Sequence, residues 1–220
     1  MQDQSTDMPT TPEPAPPAPA AVPPRAADTP ARALELLREG NARFVEGRGF
    51  TGSLTARRLE LTAGQSPFAI VLGCSDSRVP LETIFDQIPG QLFVVRVAGN
   101  FLSDDGIGSI EYGVAVLHAP EIVILGHGSC GAVTAARDYV RDGVAPPGFI
   151  RHLVRAVEPA VIAVRNEPGD WLDNAIARNV RDNVAALTQR SEIVAAAVAA
   201  GEVGVTGAVY DLGTGRVNFL

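Results

Sequence analysis

Residues 68–78 read Phe68-Ala69-Ile70-Val71-Leu72-Gly73-Cys74-Ser75-Asp76-Ser77-Arg78. The apolar half is short and β-branched, which is typical of a buried strand, predicted here over residues 68–72. A thiol, a carboxylate and a guanidinium follow directly after it, within five residues. In open α/β sheets, ligands bind at the carboxyl edge, which is where this pentapeptide would lie. The stretch therefore predicts a buried strand with a functional site at its end.

A second stretch has the same construction. The apolar run 121–125 predicts another buried strand, and it is followed by Gly126-His127-Gly128-Ser129-Cys130-Gly131. The chain has only two cysteines, and each lies just past one of these strands. Together with Cys74, the closely spaced His127 and Cys130 make a Cys2His set, which suits zinc. Three protein ligands with a fourth position left over is the arrangement of a catalytic zinc site, whereas structural sites are usually closed by four.

The remaining elements alternate in the rhythm of an α/β protein. Further strands are predicted at 92–97, 203–211 and 216–220, and helices at 31–46, 54–62, 109–117, 131–141 and, in two or three pieces, 149–200. This order favours a mostly parallel central sheet with flanking helices, and the Gly-rich turn at 213–215 predicts a C-terminal antiparallel hairpin at the sheet edge. The helix at 31–46 is expected to form an N-terminal arm that crosses to a partner subunit and buries Leu34, Leu37 and Phe44 there.

Composition limits the domain organisation and the possible partners. Residues 1–30 hold nine of the seventeen prolines and almost no large apolar residue, which predicts a disordered Pro-rich tail before a single domain at 31–220. The net charge of −7, with scattered basic residues, argues against nucleic acid as a partner. No apolar run approaches the length of a membrane span. Because the tail has no apolar segment typical of a signal peptide, we expect a cytoplasmic protein, although an exported form that has lost its leader would have the same sequence.

Other interpretations of the two motifs are weaker. The pattern Gly126-x-Gly128-x-x-Gly131 matches a dinucleotide fingerprint, but the acid expected about 20 residues on, after another strand, is missing. Cys74 and Arg78 suggest a cysteine phosphatase, but three residues, one of them acidic, make a poor phosphate cradle. A lone buried cysteine is usually a small hydrophobic residue, and Asp76 with Arg78 could be a plain ion pair that braces a loop.

The pattern Cys-x-Asp-x-Arg, followed about fifty residues later by His-x-x-Cys, resembles the β-class carbonic anhydrases. The likeness covers the chain from residue 31 to the C-terminus. Segments that are similar to this family are 40–44, 72–80, 84–87, 93–100, 109–112, 126–133 and 207–220.

The resemblance implies a zinc enzyme. Zinc would be held by Cys74, His127 and Cys130, and zinc-bound hydroxide would attack carbon dioxide in its reversible hydration to bicarbonate and a proton. By the same likeness Asp76 and Arg78 form the catalytic dyad, with Asp76 a metal ligand only in a closed, inactive state. Relatives that act on carbon disulfide or carbonyl sulfide, and a non-catalytic zinc protein, stay open as alternatives.

The resemblance also implies the substrate cleft and the assembly. Residues matching the family's substrate-binding positions are Gln65, Phe93, Ala98, Tyr112 and Gly131, the last through its backbone N–H. The cleft draws on both subunits of a homodimer, which can pair again into a tetramer. One branch of the family has a tryptophan three residues before the first cysteine and a regulatory bicarbonate pocket. Val71 occupies that position here, so we expect no such pocket.

Overall fold

A computed structural model describes residues 22–50 and 54–220 of the chain. Its described residues form one five-stranded sheet. The strands are β1 (Ala69–Gly73), β2 (Leu92–Arg96), β3 (Glu121–His127), β4 (Gly204–Tyr210) and β5 (Val217–Phe219). The order is β2-β1-β3-β4-β5, with the first four strands parallel and β5 antiparallel to β4. The predicted fold class, a mostly parallel sheet with an antiparallel C-terminal hairpin at its edge, is confirmed.

Helices cover both faces of the sheet. They are α1 (Pro30–Val45), α2 (Leu54–Glu60), α3 (Leu81–Ile84), α4 (Asp104–Ala115), α5 (Gly131–Asp142), α6 (Ile150–Ala163), α7 (Trp171–Arg190) and α8 (Glu192–Ala199), with a 3-10 turn at Leu61–Ala63. Every residue of β1 and β3 is buried, which explains why both strands are apolar runs. Val71 of β1 packs in the core cluster that includes α1 and α3, whereas Ile70 and Leu72 face the cluster formed with α4, α7 and α8.

Helix α1 packs against its own chain. Its start is capped by Thr29, whose side chain accepts a hydrogen bond from the Arg32 N–H, and proline occupies its first position. Leu37 is fully buried in the core cluster on this face of the sheet, while Leu34 and Phe44 are partly buried. The expectation that a partner subunit buries Leu37 is therefore wrong, because the chain's own sheet already does so.

Two helices differ from the sequence prediction, one in its extent and one in its presence. Helix α4 begins at Asp104, five residues before the predicted start, because the Ser103 side chain accepts a hydrogen bond from the Gly106 N–H and two aspartates follow in the first turn. Glycines at 106 and 108 weaken the helical signal of this segment. Helix α3 is a single turn and was not predicted.

The folded domain begins upstream of its predicted boundary at residue 31. Arg25 donates hydrogen bonds from Nε to the Pro67 carbonyl (3.1 Å) and from Nη2 to the Leu117 carbonyl (2.5 Å). Ala27 is buried in the same core cluster as Leu37. The boundary therefore moves to Arg25 or before, and the part of the predicted tail at 1–21 lies outside the described residues. No helix in the described ranges is long and apolar enough to cross a membrane.

Candidate metal centre

The two motifs meet because β1 and β3 are parallel neighbours. Cys74 directly follows β1, His127 is the last residue of β3, and Cys130 is the N-cap of α5. One potential ligand atom from each lies within 4.8 Å of the others, and the two sulfurs are 3.9 Å apart. All three side chains are buried. The structure thus brings together the three predicted metal ligands.

His127 has one ring nitrogen that lacks a partner. Its Nδ1 lies 2.9 Å from the Gly128 carbonyl oxygen, so this nitrogen carries the hydrogen and donates it. Its Nε2 is fully buried and has no hydrogen-bond partner among the described residues. A buried polar atom left without a partner is costly, whereas a neutral imidazole with a hydrogen-bonded Nδ1–H is the usual form of a histidine ligand. Two thiols and this nitrogen fit zinc, which prefers sulfur and nitrogen ligands.

The environment of Cys74 favours its thiolate. Hydrogen bonds from the Cys130 thiol and from the Gly99 N–H, which is 3.4 Å from the Cys74 sulfur, lower the pKa of Cys74. The proton that the two thiols share stays on Cys130, which raises the pKa of that thiol. The thiolate is the form of cysteine that binds a metal, so one of the two sulfur ligands, Cys74, is already in its metal-binding form.

Asp76 and Arg78 form a tightly hydrogen-bonded pair beside the ligands. Arg78 donates from Nε to Oδ1 (2.9 Å), from Nη2 to Oδ2 (2.7 Å) and from its backbone N–H to Oδ1 (2.9 Å). These bonds hold the pKa of Asp76 well below its usual range, so the carboxylate is ionised. Arg78 Nη2 also donates to the Ser129 carbonyl at 3.3 Å. The pair therefore connects the segment after β1 to the segment after β3.

Comparison with known proteins identifies the family. Residues 69–217 match the family described as Carbonic anhydrase. Carbonic anhydrase 2 of Mycobacterium tuberculosis is 44% identical over 84% of this chain and 89% of its own length. Among solved structures, the β-carbonic anhydrase CafA of Aspergillus fumigatus is similar over 86% of this chain and 89% of its own, with a TM-score of 0.66 and 27% identity.

The chain belongs to the β-class carbonic anhydrases. A tetrameric β-carbonic anhydrase from Sordaria macrospora, 24% identical, has the same fold, with a TM-score of 0.67 over 86% of this chain and 97% of its own. The resemblance inferred from the sequence motifs and the expectation of an enzyme are both confirmed.

Of the residues predicted to bind substrate in this carbonic anhydrase, two lie at the centre. Ala98 precedes Gly99, whose N–H contacts the Cys74 sulfur, and Gly131 follows Cys130 at the start of α5. A β-carbon added to Gly131 would meet nothing within 4 Å, so the space on that side is open.

The other three lie away from the centre of the same chain. Phe93 is paired with Ile70, four residues before Cys74 and thus about 13 Å along the strand. Tyr112 stacks on Phe93 with ring centroids 6.0 Å apart and is half exposed. Gln65 is exposed and precedes β1, at the opposite end of that strand from Cys74. Within a single chain these side chains do not line the metal centre.

One side chain that contacts the centre, that of Arg96, was not predicted from the sequence. Arg96, the last residue of β2, donates hydrogen bonds from Nε to the Cys74 carbonyl (2.8 Å) and from Nη2 to the Asp76 carbonyl (2.7 Å). The sequence separation gives no hint of these bonds. They follow from the parallel register of β1 and β2, which places Arg96 opposite Gly73.

Proposed function

We propose that this carbonic anhydrase is zinc-dependent and catalyses the reversible hydration of carbon dioxide to bicarbonate and a proton, with Cys74, His127 and Cys130 as the metal ligands. The observation that supports this most directly is the buried Cys2His cluster, in which His127 Nε2 has no partner among the described residues. Zinc, when bound, lowers the pKa of a water to about 7 and so makes a hydroxide nucleophile available at neutral pH.

Asp76 and Arg78 are proposed to keep the fourth position of the centre open. Arg78 occupies both carboxylate oxygens of Asp76, so the carboxylate does not turn toward the three ligands. The ionised Asp76 has lone pairs left, with which it can accept a hydrogen bond from the nucleophile and orient it. Without Arg78, the carboxylate would be a competing ligand, because it lies two residues from Cys74.

The substrate is proposed to bind in a cleft formed by two subunits. Ala98 supplies an apolar wall, and the Gly131 N–H can hold a substrate oxygen. Gln65, Phe93 and Tyr112 would contribute from the partner subunit, since they lie away from the centre of their own chain. This proposal requires a homodimer, and it is compatible with a further pairing of dimers like the tetramer of the Sordaria macrospora relative.

The test is zinc content measured together with carbon dioxide hydration. We expect one zinc ion per chain in the wild-type protein, because each chain supplies one Cys2His cluster. Cys130→Ser should lose most zinc and activity. Arg78→Ala should keep its zinc and lose activity, because Asp76 is then free to occupy the fourth position.

Arg141→Ala is the matched control for Arg78→Ala. Arg141 also donates from Nε and Nη2 to both oxygens of one aspartate, Asp142, at 2.8 and 2.7 Å, but at the far end of α5. It should leave zinc content and activity unchanged. Full zinc occupancy in Cys130→Ser would refute the ligand assignment. A fully active, zinc-loaded Arg78→Ala protein would show that Asp76 and Arg78 form only a structural ion pair.

A further inference from the structure

We propose that Arg96 is a positioning residue of the metal centre, which fixes the directions of Cys74 and Asp76 by binding their backbone carbonyls. This inference rests on the proposed function and extends it to a residue outside the ligand set and the Asp76–Arg78 pair.

The contacts of Arg96 are specific to these two carbonyls. Its guanidinium donates to the carbonyl oxygens of Cys74 at 2.8 Å and of Asp76 at 2.7 Å. Hydrogen bonds from a charged donor are roughly twice as strong as neutral ones. No carboxylate of the described residues lies within ion-pair distance of Arg96, so its charge is directed at the backbone of the segment after β1.

This segment lies beyond the regular hydrogen bonding of the sheet. The Val97 N–H bonds the Gly73 carbonyl at 3.1 Å, and the chain turns away after that point. The Cys74 carbonyl lies on one side of Ser75 and the Asp76 carbonyl on the other. Because a planar guanidinium holds both at once, it fixes the peptide groups between them, and with them the directions in which the Cys74 sulfur and the Asp76 carboxylate leave the backbone.

Arg96 and Arg78 together join three segments of the chain. Arg96 connects the end of β2 to the segment after β1, and Arg78 connects that segment to the Ser129 carbonyl, between His127 and Cys130. Gly99, just past β2, contributes the N–H that contacts the Cys74 sulfur. The end of β2 thus sets the position of Cys74 through both its backbone and its sulfur, although β2 supplies no ligand.

The experiment compares Arg96→Ala and Arg96→Lys with the wild-type protein. Four quantities are measured: the rate of zinc release to a chelator, the absorption spectrum of the cobalt-substituted protein, kcat and KM for carbon dioxide hydration, and the melting temperature. We expect Arg96→Ala to release zinc about 10- to 100-fold faster or to lose as much in kcat, with an altered cobalt spectrum. Arg96→Lys should recover little, because a single ammonium cannot hold two carbonyls in a plane.

Arg25→Ala is the matched control, because Arg25 also donates from Nε and Nη2 to two backbone carbonyls, those of Pro67 and Leu117. We expect it to lower the melting temperature without changing zinc release, the cobalt spectrum or kcat. The inference is overturned if Arg96→Ala matches the wild type in these three quantities, or if Arg25→Ala changes them equally. If Arg96→Ala does not fold, the same measurements on Arg96→Lys test the inference. A wild-type protein without zinc or activity would instead overturn the proposed function.

Discussion

At the scale of single residues, the most unusual group outside the metal centre is Glu121. It begins β3, at the opposite end of that strand from His127, and it is only 2% exposed. Its Oε1 has no hydrogen-bond partner among the described residues. The carboxyl lies over Gly204, where a β-carbon would be 2.1 Å from Oε2, and Pro30 closes the same space. Burial raises the pKa of Glu121 to about 7, and Thr206 offsets only part of this.

Because of this buried carboxyl, we expect the free energy of unfolding to decrease as the pH rises. Below its ordinary pKa of 4.5, Glu121 is protonated in both states. Between about 4.5 and 7 the unfolded chain gives up the proton while the folded chain keeps it, so the free energy of unfolding decreases, by about 3 kcal/mol in total. Glu121→Gln should therefore be more stable than the wild type by about this amount at pH 8 and by much less at pH 4.5.

Urea unfolding at both pH values tests the prediction, with Glu202→Gln as the control because Glu202 is exposed. Equal stability differences for Glu121→Gln at the two pH values would contradict it.

The residues of the metal centre divide into those that a sequence can reveal and those that it cannot. Cys74, His127 and Cys130 could be grouped because their side chains have the chemistry of ligands and each follows or ends an apolar run. Arg96 could not be found in this way, because it acts on backbone carbonyls and its neighbours depend on strand register. The Gly99 N–H contact with Cys74 is hidden for the same reason.

At the scale of elements, a single side chain ties α1 to two other parts of the fold. Asn41 Nδ2 donates to the carbonyls of Ile84 (3.1 Å) and Gly215 (2.9 Å), and its Oδ1 accepts from the Val217 N–H (2.9 Å). The residue before it, Gly40, packs so closely on α3 that a β-carbon would be 1.8 Å from the Phe85 carbonyl oxygen. Helix α1 is therefore fixed to α3 and to the C-terminal hairpin.

Asn41→Ala should lower the free energy of unfolding by about 2 to 4 kcal/mol, because three backbone groups around this buried side chain lose their hydrogen-bond partner. Asn41→Asp should cost at least as much, since its carboxylate can still accept from Val217 but sets a second acceptor oxygen against the carbonyls of Ile84 and Gly215. Arg38→Ala, on the exposed side of the same helix, removes a contact with the Phe219 ring and should cost less than about 1 kcal/mol. Chemical denaturation measures all three, and an Asn41→Ala protein as stable as the wild type would show that water replaces these bonds.

The elements that could be predicted are those with a clear local sequence pattern. Strands β1 and β3 are buried on both faces, so their apolar runs are unmistakable. Helix α3 has only one turn and α4 contains glycines in its first half, so neither gives a clear helical pattern. The Arg25 contacts that extend the folded domain join distant parts of the chain, which no local pattern reveals.

At the scale of the whole molecule, the arrangement of the sheet separates the residues that we propose to act together. Strand β2 is an edge strand, and its middle residues are only partly buried. Phe93 on this strand, its neighbour Tyr112 and the exposed Gln65 are away from the metal centre of their own chain. If a second subunit packs across this edge, as the proposed homodimer requires, each metal centre would receive these three side chains from the partner.

Mixed dimers test whether Gln65 acts across the subunit interface. Gln65→Ala chains keep the metal ligands and Cys130→Ser chains keep Gln65, so each homodimer alone should have little activity. A heterodimer of the two, purified through different affinity tags, should regain activity at one of its two centres, because the Cys130→Ser subunit supplies Gln65 to the intact ligands of the other.

The reciprocal control pairs a wild-type chain with a Gln65→Ala/Cys130→Ser chain. That heterodimer should be inactive, since its only metal centre would face an alanine. If Gln65 served its own chain, the two heterodimers would exchange behaviour: the first would stay inactive and the second would keep one active centre.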